Sequence, residues 1–243
     1  NLNAATTGAI KINTRGKTYS GSAANLQAAL AGTVTDGSNN ALNGAMTIND
    51  ADNASIAATV LSAIGGATGG TVTVTHAINV TGTADEAIVA LHDTATKVEV
   101  SDAIVTLSDD PDLTELKNLN AATTGAIKIN TRGKTYSGTA ANLAAALAGT
   151  VTDGSNNALN GAMTLTDGPL ATELQTINNA TSGNIIVHNR GITLSANASV
   201  LQEALAGTIQ DGSGLGLNGA VTINDADNAS IAATALSAIG GAT

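Results

Sequence analysis

Residues 118–165 read NLNAATTGAIKINTRGKTYSGTAANLAAALAGTVTDGSNNALNGAMTL, and residues 1–48 repeat them with changes only at Ser22/Thr139, Gln27/Ala144 and Ile48/Leu165. With 45 identities in 48 gapless positions, the chain has to be read as repetitions of one unit. A third copy is marked by LQEALAGTIQDGS (201–213), which answers LQAALAGTVTDGS (26–38), and by NDADNASIAAT at 49–59 and again at 224–234. A diverged fourth copy lies between, where ATGGTVTV (67–74) matches ATTGAIKI (5–12) and TLSDDPDLTEL (106–116) matches TLTDGPLATEL (164–174). The units are 1–62, 63–117, 118–175 and 176–237, one array over 1–243. The stretch LSAIGGAT at 236–243 reproduces 61–68, so 238–243 opens a fifth unit. The expectation is an excerpt of a longer array whose ends continue into further repeats or stack on other copies.

Within each unit apolar residues alternate with polar ones at Ile10/Ile12, Val72/Val74, Ile127/Ile129 and Ile185/Val187, each after a glycine turn. A second set is Met46/Ile48, Val105/Leu107, Met163/Leu165 and Val221/Ile223. Period-two alternation predicts half-buried strands. Between them, segments such as AANLQAALAG (23–32) and ATELQTI (171–177) carry Leu and Ile at helical spacing and predict helices of one to two turns. Gly32, Gly149 and Gly207 stand where C-cap glycines would, and Pro111 and Pro169 stand near helix starts. Extra strand-like pieces, KTYSG (17–21) and ITLSA (192–196), follow an Arg-Gly turn whose Gly is expected at positive φ. A helical crossover returns the next strand in the same direction, so the strands should be parallel. A doubly wound sheet would need near-continuous apolar strands, and these alternate with Lys, Thr, Asn and His. The predicted fold is a repeat solenoid, mainly β, of parallel strands with short intervening helices: a β-helix or α/β solenoid with Ile10, Met46, Val72, Val105, Ile127, Met163, Ile185 and Val221 inward on eight parallel strands.

Composition narrows function. The 243 residues include two Tyr, no Phe or Trp and no Cys, so disulfides and thiolate chemistry are out and a thick aromatic core is not available. A formal charge of −10 with nine Lys plus Arg argues against nucleic acid, whose phosphates call for basic clusters. The apolar runs fall far short of the roughly 20 residues a membrane helix needs, so no membrane insertion is expected.

The acidic turns are the first candidates for chemistry: NDADN at 49–53 and 224–228, SDDPD at 108–112, TDGP at 166–169, and the Asp-Gly-Ser turns at Asp36, Asp153 and Asp211. Asp50/Asp52 and Asp225/Asp227 could offer oxygen ligands to Ca²⁺. The stronger reading is helix capping, since each turn precedes a helical segment, and Asp112 with Glu115 makes a D-x-x-E capping box. Arg15, Arg132 and Arg190 share one repeat position and could form a ladder that meets the acidic turns or an anionic polymer. His76, His92 and His188 share none, and no nucleophile motif accompanies them. No catalytic, cofactor-binding or metal residues are assigned. Thr71, Thr73 and Thr75 would suit an ice-binding face only if every unit carried them, and the other units read AIKIN and NIIVH. The sequons at Asn53, Asn79, Asn179, Asn197 and Asn228 are what this composition generates.

The unit, above all TLTDGPLATELQTINNATSGNI at 164–185, resembles the Asp-, Thr- and Ala-rich repeats of giant bacterial cell-surface proteins, cyanobacterial and S-layer-like chains among them. That resemblance implies an extracellular, non-enzymatic role in a filament, spacer or surface layer, with other repeats as partners. The alternative is an adhesin-type module holding polysaccharide or calcium through Arg or Asp ladders. A glycan binder would be expected to show aromatic platforms, which two Tyr hardly provide.

Overall fold

The computed structural model describes residues 3–227 and 229–242. Asn1, Leu2, Asn228 and Thr243 lie outside them, and so do the Asn228 sequon, the last residue of the 224–228 turn and the outermost residues of the array. Contacts divide the chain into two compact units, Asn1–Asp109 with Ala121–Ile127, and Asp110–Asn120 with Lys128–Thr243.

Through the first unit run a 3-10 turn (Asn3–Ala5), β1 (Ile10–Ile12), β2 (Tyr19–Gly21), α1 (Ala23–Leu30), β3 (Val34–Asp36), β4 (Met46–Ile48), β5 (Ser55–Ala57), α2 (Ala58–Gly66), β6 (Val72–Val74), β7 (Asn79–Gly82), α3 (Ala84–Leu91), β8 (Val98–Glu99) and β9 (Ile104–Leu107). Then follow α4 (Leu113–Ala122), β10 (Ile127–Ile129), β11 (Tyr136–Gly138), α5 (Ala140–Ala146), β12 (Val151–Asp153), β13 (Met163–Leu165), α6 (Ala171–Ala180), β14 (Ile185–Val187), β15 (Leu194–Ala196), α7 (Ala198–Ala204), β16 (Ile209–Asp211), β17 (Val221–Ile223) and α8 (Ala233–Gly241).

This is a mixed α/β fold of short, all-parallel sheets, and it overturns the expectation of a mainly-β solenoid or β-helix. Among the described residues helix accounts for 30% and strand, isolated bridges included, for 24%. The reason is local. Most strands are three residues long, stopped by Gly, Asn or Asp turns, whereas the Ala/Leu segments run from seven residues in α5 to ten in α4 and α6. Ala, Leu, Gln and Glu are strong helix formers, so six of the eight described helices, at eight to ten residues, extend beyond the one to two turns that apolar spacing alone marks, and α5 and α7, at seven, fill two.

In the first unit β2, β4, β6 and β8 lie side by side with Tyr19, Met46, Val72 and Val98 in register. There β5, β7 and β9 align Ile56 with Val80 and Val80 with Val105, while β1 takes β3. In the second unit β11, β13, β14 and β16 align Tyr136, Met163, Ile185 and Ile209, and β15 takes β17. Two of the expected neighbours, Met46 with Val72 and Met163 with Ile185, are thus paired. The partner of Ile10 is Val34 and that of Val221 is Leu194, and Ile10 and Val221 are only half-buried. Sequence patterning missed β3, β12 and β16, since Val-Thr-Asp and Ile-Gln-Asp give too short an alternation to stand out from the turn that follows.

Strands β4, β10, β13 and β14 bury their first and third residues and leave the middle one more open, as in Met46-Thr47-Ile48 and Met163-Thr164-Leu165, whereas β5 buries its middle residue Ile56. Helices close the other side of the core, α1 beside α2 beside α3, and α5 beside α6 beside α7 beside α8. Leu61 and Ile64 are fully buried in the first unit, and Leu143, Leu174, Ile177 and Leu201 in the second. No described helix is long and apolar enough to cross a membrane.

Two glycine expectations are corrected. Gly32, Gly149 and Gly207, like Gly16, Gly133 and Gly191, are not among the residues at positive φ. At Gly149 a Cβ would run into the Asn120 side chain, whose Nδ2 donates to the Ala145 carbonyl at 2.7 Å. The glycine makes room for a neighbouring asparagine that satisfies an open carbonyl of α5.

Candidate functional site

Four aspartates of the acidic turns cap helices other than the ones that follow them. Asp50 Oδ2 accepts from the Ala23 N–H at 2.7 Å across 27 residues of chain, and Asp225 Oδ2 accepts from Ala198 at 2.7 Å. Asp109 and Asp167 do the same for Ala84 at 2.9 Å and Ala140 at 2.7 Å. These alanines open α1, α7, α3 and α5. Each of those helices also has its own N-cap, Ser22, Asn197, Thr83 or Thr139, which accepts from the N–H three residues on. Two of the four N-terminal N–H groups left open by helix geometry are therefore satisfied, one by a carboxylate that also opposes the dipole. The Asp112/Glu115 box forms at the start of α4, with bonds of 2.6 and 2.8 Å.

Replacing Asp50 by Ala is expected to cost about 1 kcal/mol, the usual value of a lost cap. The loss should be the same in chelator and in millimolar Ca²⁺, measured by thermal melting. A calcium-dependent rise in melting temperature that vanishes in the variant would give the turn a metal instead.

The Asp-Gly-Ser turns close on themselves. Asp36 Oδ1 accepts from the Ser38 and Asn40 N–H groups at 2.8 Å each, and Asn40 Nδ2 adds a bond of 3.0 Å to Oδ2. Asp153 repeats this with Ser155 and Asn157, and Asp211 with the N–H groups of Ser213 and Leu215. Three residues after each Asp the chain turns left-handed, at Asn39 (φ 65°), Asn156 (φ 64°) and Gly214 (φ 78°), residue types that tolerate that region.

Hydrogen bonds from Asn40, then from Ser38, hold Asp36 below its usual carboxylate range, with the Arg15 charge helping. Asn157, then Ser155 and Arg132, do so for Asp153, and the Leu215 and Ser213 N–H groups with Arg190 for Asp211. A carboxyl whose folded pKa is depressed stabilises fully above its unfolded value, near 3.8, and that stabilisation is lost as pH falls through the lower folded value. The Asp36→Asn, Asp153→Asn, Asp211→Asn triple variant is thus expected to show a flatter fall of melting temperature below about pH 4 than the parent. Parallel acid curves would reject this role.

Two arginines of the ladder donate to backbone. Arg15 Nε donates to the Ala41 carbonyl and Arg132 Nε to Ala158, both at 2.7 Å, while the Asn43, Asn160 and Asn218 N–H groups donate back to the Arg15, Arg132 and Arg190 carbonyls. Arg190 Nε is buried without a partner. Its facing loop reads DGSGLGLNG (211–219) in place of DGSNNALNG.

A further repeated device escaped sequence reasoning. Thr68, Thr123 and Thr181 are buried. Each hydroxyl accepts from the glycine N–H two residues on and donates to a carbonyl of the preceding strand–helix turn: Gly44 at 2.6 Å, Ala103 at 2.6 Å and Leu159 at 3.2 Å. Its mark in the sequence is the Thr-x-Gly spacing at 68–70, 123–125 and 181–183.

The histidines stay apart. His76 Nδ1 lies 2.8 Å from the Asp50 carbonyl oxygen, which can only accept, so Nδ1 is the donor in this contact. The ring edges a recess of about 480 Å³ in the first unit, with Glu99, Ser101 and Asp102 on its walls. Among the described residues no three His, Cys, Asp or Glu side chains converge to hold a metal ion. No family model, curated protein or solved structure matches this chain.

Proposed function

We propose that this chain is a non-enzymatic structural module of a large extracellular bacterial surface protein, built to extend a filament, spacer or surface layer. The observation that supports this reading is where the repeated polar side chains go. Asp50, Asp109, Asp167 and Asp225 hold helix ends, Thr68, Thr123 and Thr181 hold carbonyls of the preceding turn, and Arg15 and Arg132 hold loop carbonyls. Residues repeated for binding or catalysis would keep their polar atoms available to a ligand, whereas these are used to fasten one turn of chain to the next. An adhesin reading through the carboxylates of Asp50 and Asp225 has less to stand on for the same reason. Immunogold electron microscopy of native cells tests the proposal: label along surface fibres or a surface layer supports it, and label confined to the cell interior overturns it.

A further inference from the structure

We propose that Asn43, Asn160 and Asn218 deamidate spontaneously in the folded protein through a succinimide, while the Asp-Gly pairs at 36–37, 153–154 and 211–212 are held against the equivalent reaction. Each of these asparagines precedes a glycine, at one repeat position in three copies. Packing imposes that glycine. A Cβ on Gly44, Gly161 or Gly219 would fall on the carbonyl of Lys17, Lys134 or Ile192, so no bulkier residue can stand there to hinder attack on the asparagine. The three asparagines are exposed and their side chains lie alike, with Oδ1 3.7 Å from where a Cβ on Gly16 or Gly133 would be and 3.8 Å from that of Gly191. Among the described residues these side chains make no hydrogen bond, and the N–H groups of Gly44, Gly161 and Gly219 donate none. Electrophile and nucleophile are thus neighbours, and neither has a partner to give up before they react.

In the reaction the Gly161 nitrogen attacks Asn160 Cγ. The N–Cγ bond forms, the Cγ–Nδ2 bond breaks, and ammonia leaves with the proton that the glycine nitrogen gives up. Water then opens the ring at either carbonyl and leaves an aspartyl or an isoaspartyl residue. Nothing is oxidised or reduced, and water is the only co-reactant. The Asp-Gly pairs have a glycine at least as open, since nothing lies within 4 Å of a Cβ on Gly37, Gly154 or Gly212. Their side chains differ. Oδ1 of Asp36, Asp153 and Asp211 each accepts two backbone N–H groups at 2.8 to 3.0 Å, which ties Cγ to the residues two and four places on and favours the ionised carboxylate, whose oxygen is a poor leaving group. The isoaspartyl product lengthens the main chain by one methylene beside Gly161, whose carbonyl accepts from Thr181 Oγ1 at 3.3 Å, and beside Gly44, whose carbonyl accepts from Thr68 Oγ1 at 2.6 Å. With backbone already pressed against both glycines, the added length loosens the turn in which it forms.

This chemistry goes beyond the structural-module reading and stands or falls without it. The test keeps the full chain folded in mildly alkaline buffer, samples it over weeks, and maps acid peptic digests by fragmentation mass spectrometry. Peptides that run past Asn49 or Thr166 tell the first two copies apart. Amide loss should reach most molecules at Asn43, Asn160 and Asn218, while Asn39 and Asn156, equally exposed but followed by asparagine, keep theirs. In Asn160→Gln the loss at 160 should disappear and that at Asn43 continue, because the longer side chain closes its ring far more slowly. An isoaspartyl methyltransferase with a labelled methyl donor should mark the three asparagine sites and leave Asp36, Asp153 and Asp211 unmarked. Amide loss at Asn43 and Asn160 no faster than at Asn39 and Asn156 in the folded chain overturns the proposal, whatever the urea-unfolded chain does. Label at Asp36 or Asp153 equal to that at Asn43 overturns the protection assigned to the Asp-Gly turns.

Discussion

Gly161→Ala is expected to lower the stability of the second unit by about 3 kcal/mol, the upper end of what overpacking usually costs. A Cβ on Gly161 would fall on the Lys134 carbonyl, well inside contact distance, and against the Gly133 carbonyl as well. On its other side the Gly161 carbonyl accepts from Thr181 Oγ1 at 3.3 Å and sits where a Cβ on Gly183 would be. Backbone presses from both directions, and neither side can yield as the tip of a flexible side chain would. Gly44 and Gly219 meet the Lys17 and Ile192 carbonyls in the same way, so the constraint belongs to the repeat. Gly154→Ala is the control. Nothing lies within 4 Å of a Cβ there and its φ is not positive, so the substitution should be neutral or stabilise by up to about 1 kcal/mol by restricting the unfolded chain. Urea denaturation of both variants decides the matter, and similar midpoints would show that the backbones at 133–134 and 161 are not packed this closely.

The parallel direction of the strands was legible because helical segments separate the alternating ones, as 23–32 separates Ile10/Ile12 from Met46/Ile48. The balance of helix and strand was not. A three-residue strand such as Ile127–Ile129 gives as clear an alternation as a longer one, so counting alternations overstates strand content. The spacing of neighbours was also misjudged. Sequence identity repeats over 55 to 62 residues, whereas Ala23 finds Asp50 across 27 and Asn120 finds Ala145 across 25. Two or more strand–helix turns fit in one sequence unit, and their sequences have diverged enough, as ATTG and NDAD show, to hide the shorter period.

For the site, the chemistry of the acidic turns was legible and their addressee was not. Asp at the start of a helix is a local signal, and Asp112 with Glu115 fulfils it locally. Asp50 and Asp225 instead satisfy a helix one turn of chain earlier, a relation that depends on strand register and leaves no mark on neighbouring residues. The recess at His76 is of the same kind, since His76 and Asp102 come from the ends of separate strands.

Leu147→Ala should cost about 3 kcal/mol and Leu30→Ala about 1 kcal/mol, although the two leucines sit in nearly identical sequences. Leu147 follows α5 and is 2% exposed, so truncation removes a fully buried isobutyl group and leaves a cavity whose walls include the ends of packed elements. Leu30 ends α1 and is half-buried on an apolar groove between α1 and the strands β1 and β2; water already reaches part of it, and less transfer free energy is lost. Helix propensity, which slightly favours Ala over Leu, acts on Leu30 inside α1 and hardly on Leu147 just beyond α5, so it widens the expected difference by a small amount. The difference therefore isolates what surrounds each copy, with local sequence held constant by the protein itself. Denaturation of the two single variants, read by amide exchange because the units need not melt together, gives both numbers. Equal losses would mean that the face of α1 is covered as fully as that of α5.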